Sequence, residues 1–401
     1  MPGSKGASSG GRAARQETLR HHNLALTLRH VLDAPTPVSR ADIAAATGLT
    51  RATVSALVDR LLAARLVAEL EPVAAQRAGR PAVPLAPAQG TVAAVGMEVN
   101  VDYLGVRAVD VGGRVLQQRV EMGDFRGSDP EAVLGRLAAL AGSVLAVLSA
   151  DGVVIVGTAL ALPGLVDSVT GPLRLAPNLG WRDVDVVALM SAHPVLAGMP
   201  PRLANEANLA ARAEARVRRG EPSSFVYVSG EVGIGAALVL DGRIFGGRHG
   251  WSGEIGHTAL ATAGAFDEGG TLESYAGQDA IVAASGLPRE CPVADVVAAA
   301  ERGEPRVVAA LERAGAALGV ALANVVHAVD LEHVVLGGIY ADLAPYLRAP
   351  VLAQLERRVI TAPWAAVDVS VARAGKYPAM TGGALEVLQA LVEEPAAWVP
   401  A

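Results

Sequence analysis

The chain of 401 residues has a single cysteine, Cys291. A disulfide framework needs cysteine pairs, and a zinc site built from several thiolates needs more than one, so both are excluded. Lysine is almost as scarce, with Lys5 and Lys376 alone. A P-loop needs Gly-Lys followed by Ser or Thr; Lys376 is followed by Tyr377, so that motif is absent. Long apolar runs are missing as well. The longest, Leu137–Ala150, ends at Asp151-Gly152 and falls short of the roughly 20 residues that span a bilayer. It reads as a buried helix feeding the strand VVIVGTALAL. The N-terminal stretch Met1–Gln16, rich in Gly, Ser, Ala and Arg, lacks the apolar segment of a secretory signal and reads as a disordered arm. A soluble, cytoplasmic protein with no membrane partner is expected.

What is present bounds the answer further. Hydrophobic residues at 51% and charged residues at 18% allow a large packed core, which excludes a mainly disordered chain. The length allows two or three domains. The net charge of -6 hides an asymmetry. Residues 1–80 carry eleven basic and six acidic side chains, and the remainder carries 23 basic and 34 acidic. A basic head on an acidic body suggests that only the head meets a polyanion.

The head has a recognisable order. Leu24, Leu28, Val31 and Leu32 recur at helical spacing until Asp33-Ala-Pro-Thr-Pro37 stops the helix. Ser39 can cap a short helix over Arg40–Thr47, and Gly48 suits a left-handed terminus. Thr50 can cap a third helix with Val54, Leu57, Val58, Leu61 and Leu62 on its apolar stripe and Arg51, Thr53, Ser55 and Arg60 opposite. Short helix, glycine turn and polar-faced helix form a helix-turn-helix pattern. LVAEL (66–70), the basic turn Gln76–Pro81 and a returning strand at Val83–Leu85 add a wing tipped by Arg77 and Arg80. Thr50, Arg51, Thr53 and Ser55 are the candidate major-groove readers, and Arg77 and Arg80 the candidate phosphate or minor-groove contacts. The alternative is a three-helix packing module with a solvated arginine face.

The body begins at TVAAVGMEV. VDYLGVRAVDVGGRVL (101–116) and VGIGAALVLDGRIF (232–245) both read as strand, tight turn, strand, each after an apolar strand. Two such α/β halves imply two lobes with a cleft between them. Polar residues concentrate in Leu162–Asp167, Ala176–Trp181, Leu203–Asn208, Trp251–His257 and Leu272–Tyr275. Carboxylates, amides and an imidazole suit a polyhydroxylated ligand such as a sugar. Singly, each residue has a plainer explanation. Glu206 is favoured by the dipole of a helix start, and His257 can be a satisfied, half-buried histidine. Glu254-x-x-His257 has metal-binding spacing on a helix, but Gly253 and Gly256 argue for a turn.

LANEANLAARAEARVRRG, VYVSGEVGIGAALVLDGRIFGGRHGWSGEIGH and GGTLESYA together resemble the signature of the ROK family of repressors and sugar kinases, and the winged helix-turn-helix resembles its repressor branch. The resemblance implies an actin/hexokinase-like body, a homodimer or homotetramer, and a cleft for a sugar or sugar derivative. By that resemblance the effector contacts fall on Gly164, Asn178, Asn205, Glu206, Glu254, His257 and Glu273, and Gly337-Gly338 matches the segment near the nucleotide base of kinase members. The phosphate loops depart from the kinase pattern. Glu98–Asp102 stands where kinases resemble Asp-x-Gly-Gly-Thr, and Glu231–Ala237 where they resemble Gly-Thr-Gly-x-Gly-Gly-Gly. Glu206 stands where kinases carry an aspartate base. Of the family's structural zinc ligands His257 and Glu273 remain, but the cysteine positions read Gly264, Phe266 and Thr271.

The expected class is therefore α/β, with a winged helix-turn-helix before a two-lobed ROK body. Boundaries are expected at 1–17 for a disordered basic arm, 18–88 for the DNA-binding domain with wing and linker, 89–203 for the first lobe, joined by a C-terminal helix over 382–401, and 204–381 for the second lobe with the oligomerisation surface. The expected function is sugar-responsive repression of operator DNA without catalysis, cofactor or metal. The alternatives are a regulator with a non-sugar effector or none, and an active ATP-dependent sugar kinase.

Overall fold

The computed structural model describes residues 8–71, 83–167, 171–260 and 270–399, with side chains from residue 17 onward. Helix α1 (Ser8–Asp33) opens the head. It begins within the stretch expected to be a disordered arm, so residues 8–17 are a correction to that expectation. Arg12, Ala13, Ala14, Arg15, Gln16 and Glu17 are good helix formers, and they extend a helix already anchored by the buried Leu24 and Leu28.

Strand β1 (Val38–Ser39) leads into α2 (Arg40–Thr47), α3 (Arg51–Ala63), β2 (Val67–Glu69) and β3 (Pro84–Pro87). Ser39 and Asp42 cap α2 reciprocally, and Gly48 ends it at φ 72°. Thr50 caps α3, whose Val54, Leu57, Val58 and Leu61 are buried. The strands form a sheet in the order β1-β3-β2, one strand more than the sequence pattern suggested.

In the first lobe β4 (Val92–Val99), β5 (Tyr103–Asp110) and β6 (Val115–Met122) form an antiparallel meander. Helix α4 (Pro130–Ala150) then returns the chain to β7 (Val154–Leu162), parallel to β4. A small sheet follows, of β8 (Leu165–Val166), β9 (Leu173–Ala176) and β10 (Trp181–Val184), then α5 (Val186–Ser191) and β11 (Arg202–Asn205) at the sheet edge. The first-lobe order is β11-β7-β4-β5-β6.

Helix α6 (Glu206–Val217) enters the second lobe, where β12 (Phe225–Gly230), β13 (Ile234–Leu240) and β14 (Arg243–Phe245) repeat the meander. Helices α7 (Leu272–Ala276), α8 (Gln278–Ser285), α9 (Val293–Glu301) and α10 (Pro305–Val329) precede β15 (His333–Gly338). Then α11 (Ile339–Arg358), β16 (Asp368–Val371) and α12 (Pro378–Glu393) complete the chain. The order β16-β15-β12-β13-β14 repeats that of the first lobe, strand for strand and with the same parallel and antiparallel pairs.

Helices α4 and α10 are long and apolar enough to cross a membrane by length and composition. Each contributes to a core. Leu134, Leu137 and Val144 of α4 join the first-lobe cluster, and Leu311, Leu318 and Leu322 of α10 join the second. Helix α12 packs on β4 so closely that a Cβ at Gly96 would lie 1.8 Å from the Met380 carbonyl oxygen. A third cluster joins head to body, because Leu24, Leu28 and Val31 share it with Leu391, Val392 and Val399.

Candidate functional site

The cleft is built where strands end and helices begin. Strand β11 delivers Asn205 and Glu206 to the start of α6, the C-terminal edge of a parallel pair where α/β folds place ligands. Asn205 is the N-cap: its Oδ1 accepts from the backbone N–H of Ala207 at 2.8 Å and of Asn208 at 3.3 Å. Its Nδ2 donates to the Gly164 carbonyl at 3.0 Å, so the side chain ties the Pro163-Gly164 turn to the helix. Gly164 has φ 86°, and a Cβ there would meet the Leu175 carbonyl oxygen at 2.1 Å.

From the second lobe come Glu254, His257 and Glu273. Gly253 at φ 104° lets the loop press against β13, where a Cβ would stand 2.0 Å from the Ala236 carbonyl oxygen. Glu254 follows directly, and His257 ends the next turn. Glu273, in the first turn of α7, accepts from the Ile234 N–H at 3.1 Å. The Asn178 amide of the first lobe reaches the same place: a Cβ on Gly233 would lie 2.8 Å from Glu273 Oε2 and 3.3 Å from Asn178 Nδ2. Across the lobes the Trp251 indole donates to the Val166 carbonyl at 3.1 Å, with His249 stacked on it at 4.8 Å.

Gly164, Asn178, Asn205, Glu206, Glu254, His257 and Glu273 all line one cleft. Asn100 and Glu231 line it too, and the sequence pattern did not assign them to the ligand. Asn100 is buried, and its Oδ1 accepts from the Asp102 N–H at 3.2 Å.

Behind the cleft the carboxylates crowd. Glu98, Glu206 and Glu231 line a small adjoining cavity with Tyr103, Tyr227 and Ser229. Glu98 is buried; its Oε1 accepts from Tyr103 Oη at 2.7 Å, and its Oε2 has no hydrogen-bond partner among the described residues. Burial pushes the Glu98 carboxyl up to about 7, against the pull of Tyr103 and Arg107. Burial and then Glu98, Asp102 and Asp342 push Glu231 up to about 8. Glu206 is held well above the usual carboxylate range by desolvation, then by Glu231, Glu98 and Glu254. Desolvation also raises Glu254, and Glu273 adds to it while His257 opposes. Around neutral pH this cluster holds protons that solvated carboxylates would have lost.

The described residues do not supply the thiolates that the family's zinc site uses. Thr271 offers a hydroxyl ahead of α7 where the resemblance implies a thiolate, and positions 264 and 266 lie outside the described residues. Among the described residues no group of three His, Cys, Asp or Glu side chains is placed to hold a metal.

In the head, Thr50 Oγ1 accepts from the Thr53 N–H at 3.2 Å and its hydroxyl shares a 2.8 Å hydrogen bond with that of Thr53. Thr50 and Arg51 are exposed, and Thr53 and Ser55 are half-buried on the same helix start. Arg77 and Arg80 lie outside the described residues. Arg40 links the head internally, pairing with Asp59 of α3 at 2.8 Å and Glu69 of β2 at 2.5 Å.

Comparison with known proteins follows the same division. The ROK family model matches residues 137–390, and a MarR family model matches residues 25–78. The xylose repressor of Caldicellulosiruptor bescii is 26% identical over 342 residues, covering 80% of this chain and 83% of that protein. The glucokinase of Halalkalibacterium halodurans is 27% identical over 256 residues, covering 59% of this chain and 77% of the enzyme. A solved ROK family transcriptional regulator, a homologue of the E. coli MLC protein, superposes with a TM-score of 0.77 at 26% identity, covering 94% of this chain and 97% of that one.

Proposed function

The chain belongs to the ROK family, and from that premise we propose that it is a sugar-responsive transcriptional repressor that binds operator DNA. The observation that carries the reading is the pairing of two parts in one chain. A winged helix-turn-helix stands before a body whose polar side chains converge from both lobes on one cleft. The DNA contacts are Thr50, Arg51, Thr53 and Ser55, with Arg77 and Arg80 of the wing. The effector contacts are Gly164, Asn178, Asn205, Glu206, Glu254, His257 and Glu273. The protein acts where its DNA is, in the cytoplasm, as a homo-oligomer whose two heads read an operator together.

The body binds without phosphorylating. In kinases of this family the phosphates lie along the two loops that here carry Glu98 and Glu231. Catalysis of phosphoryl transfer is mostly charge neutralisation and positioning. Among the described residues that line the cleft and the cavity behind it none is Arg or Lys, so nothing there neutralises a triphosphate, and any of these carboxyls that ionises adds repulsion, about 4 kcal/mol between two like charges ~4 Å apart at an effective dielectric of ~20. Glu206, one methylene longer than aspartate, still accepts a hydrogen bond from a sugar hydroxyl. It displaces a catalytic base by about 1 Å, which harms chemistry more than binding.

A thermal-shift screen of neutral sugars against the full chain tests the effector reading. A cleft ligand stabilises by RT ln(1 + [L]/Kd) and releases operator DNA at the same concentration. A coupled assay of ATP turnover on the same sugars should read no more than the blank. Sugar-dependent turnover lost in Glu206→Ala would make the protein a kinase.

A further inference from the structure

A second concavity lies where the head meets the body. Arg29 and Asp33 of α1 form one wall, and Arg212 and Arg216 of α6 with Arg219 just beyond it form the other. Leu388 and Val392 of α12 lie on its floor. Its charge is unbalanced. Arg212 is matched by Glu386 of α12 at 2.7 Å. Arg216, at 3.8 Å, and Arg219 share the one carboxylate of Asp33. Arg29 has no ion pair among the described residues. Arg29 and the surplus of two arginines over one aspartate leave about two positive charges uncompensated. The Nε of Arg212 is buried with no hydrogen-bond partner among the described residues.

We propose that this junction groove binds a small organic phosphate. A phosphate monoester carries about -1.5 to -2 charges near neutrality, which matches the surplus, and it offers three acceptor oxygens to guanidinium forks. The apolar floor takes the organic part. The groove is distinct from the cleft, whose lining offers carboxyl groups and amides but no guanidinium. Its ligand bridges α1 of the head to α6 of the body, so occupancy holds the head in one pose. Helix α6 also begins at Asn205 and Glu206 in the cleft, so the two sites sit at opposite ends of a helix of 12 residues, about 18 Å long. The groove proposal stands whether or not the cleft ligand is a sugar.

The test is calorimetric titration of the full chain at constant ionic strength with phenyl phosphate, phenol and inorganic phosphate. Phenyl phosphate should bind saturably, phenol should not bind, and inorganic phosphate should bind more weakly than the ester. Arg29→Gln and Arg219→Gln should each weaken the ester at least tenfold. Arg136→Gln, an exposed arginine of the first lobe paired with Glu121, should leave it unchanged. Arg29 is exposed, so its variant should keep the unliganded melting temperature. No saturable binding, or binding that survives both groove variants, overturns the proposal. So does equal affinity for inorganic phosphate, which would leave the floor without a role. Loss of operator affinity in Arg29→Gln with no phenyl phosphate binding would assign the groove to the DNA backbone instead.

Discussion

Single side chains carry two of the consequences. Arg51 is exposed at the first position of α3, where a reader of base edges belongs. Arg51→Ala should cost ~1–3 kcal/mol of operator affinity and relax sequence preference at one position, as an operator titration would read. Unchanged binding would move the recognition surface elsewhere. Glu231 carries the second. Its folded carboxyl sits near 8 and that of Glu98 near 7, both above the ordinary value. Between about pH 4.5 and 8 the folded chain therefore holds protons that the unfolded chain has released. The stability these groups contribute is complete below the unfolded value and drains away as pH rises through 7 and 8. Each such proton steepens the loss by up to about 1.4 kcal/mol per pH unit. Melting curves of Glu231→Gln from pH 6 to pH 8.5 should be flatter than those of the parent. A parallel pair of profiles would refute the protonated cleft.

At the scale of elements, the local signals are the ones a reader of the sequence can use. Ser39, Gly48 and Thr50 set the bounds of α2 and α3 because caps act over three or four residues. The reciprocal Ser39–Asp42 cap predicts that Ser39→Ala costs about 1 kcal/mol. Hydrogen exchange should report amides at the start of α2 exchanging roughly fivefold faster. The repeat of the two meanders was legible for the same reason, since each is a strand pair closed by a tight turn. Contacts between distant segments were not. Nothing local marks Arg40 as the link from α2 to β2, or Tyr103 as the donor to Glu98. The three-stranded sheet β8–β10 was missed because its strands have two to four residues, too few to show a period. The polar segments that carry the cleft residues stood out among apolar strands and the family pattern named the contacts within them, whereas Asn100 and Glu231 join them only through the fold.

For the whole molecule, the shared cluster of α1 with the C-terminal residues ties the head to the body, and α12 in turn packs on both lobes. A change in the angle between lobes therefore reaches the head through packed side chains, as a two-state coupling requires. Small-angle scattering of the full chain should show a smaller radius of gyration with the sugar that releases operator DNA. Release without any change of shape would call for another route. One last consequence comes from the carboxylates behind the cleft. An adenine nucleotide would find no Arg or Lys among the residues that line the cavity there, so ATP and ADP should be poor competitors for the guest. On that expectation the switch would answer to its guest and not to the energy status of the cell.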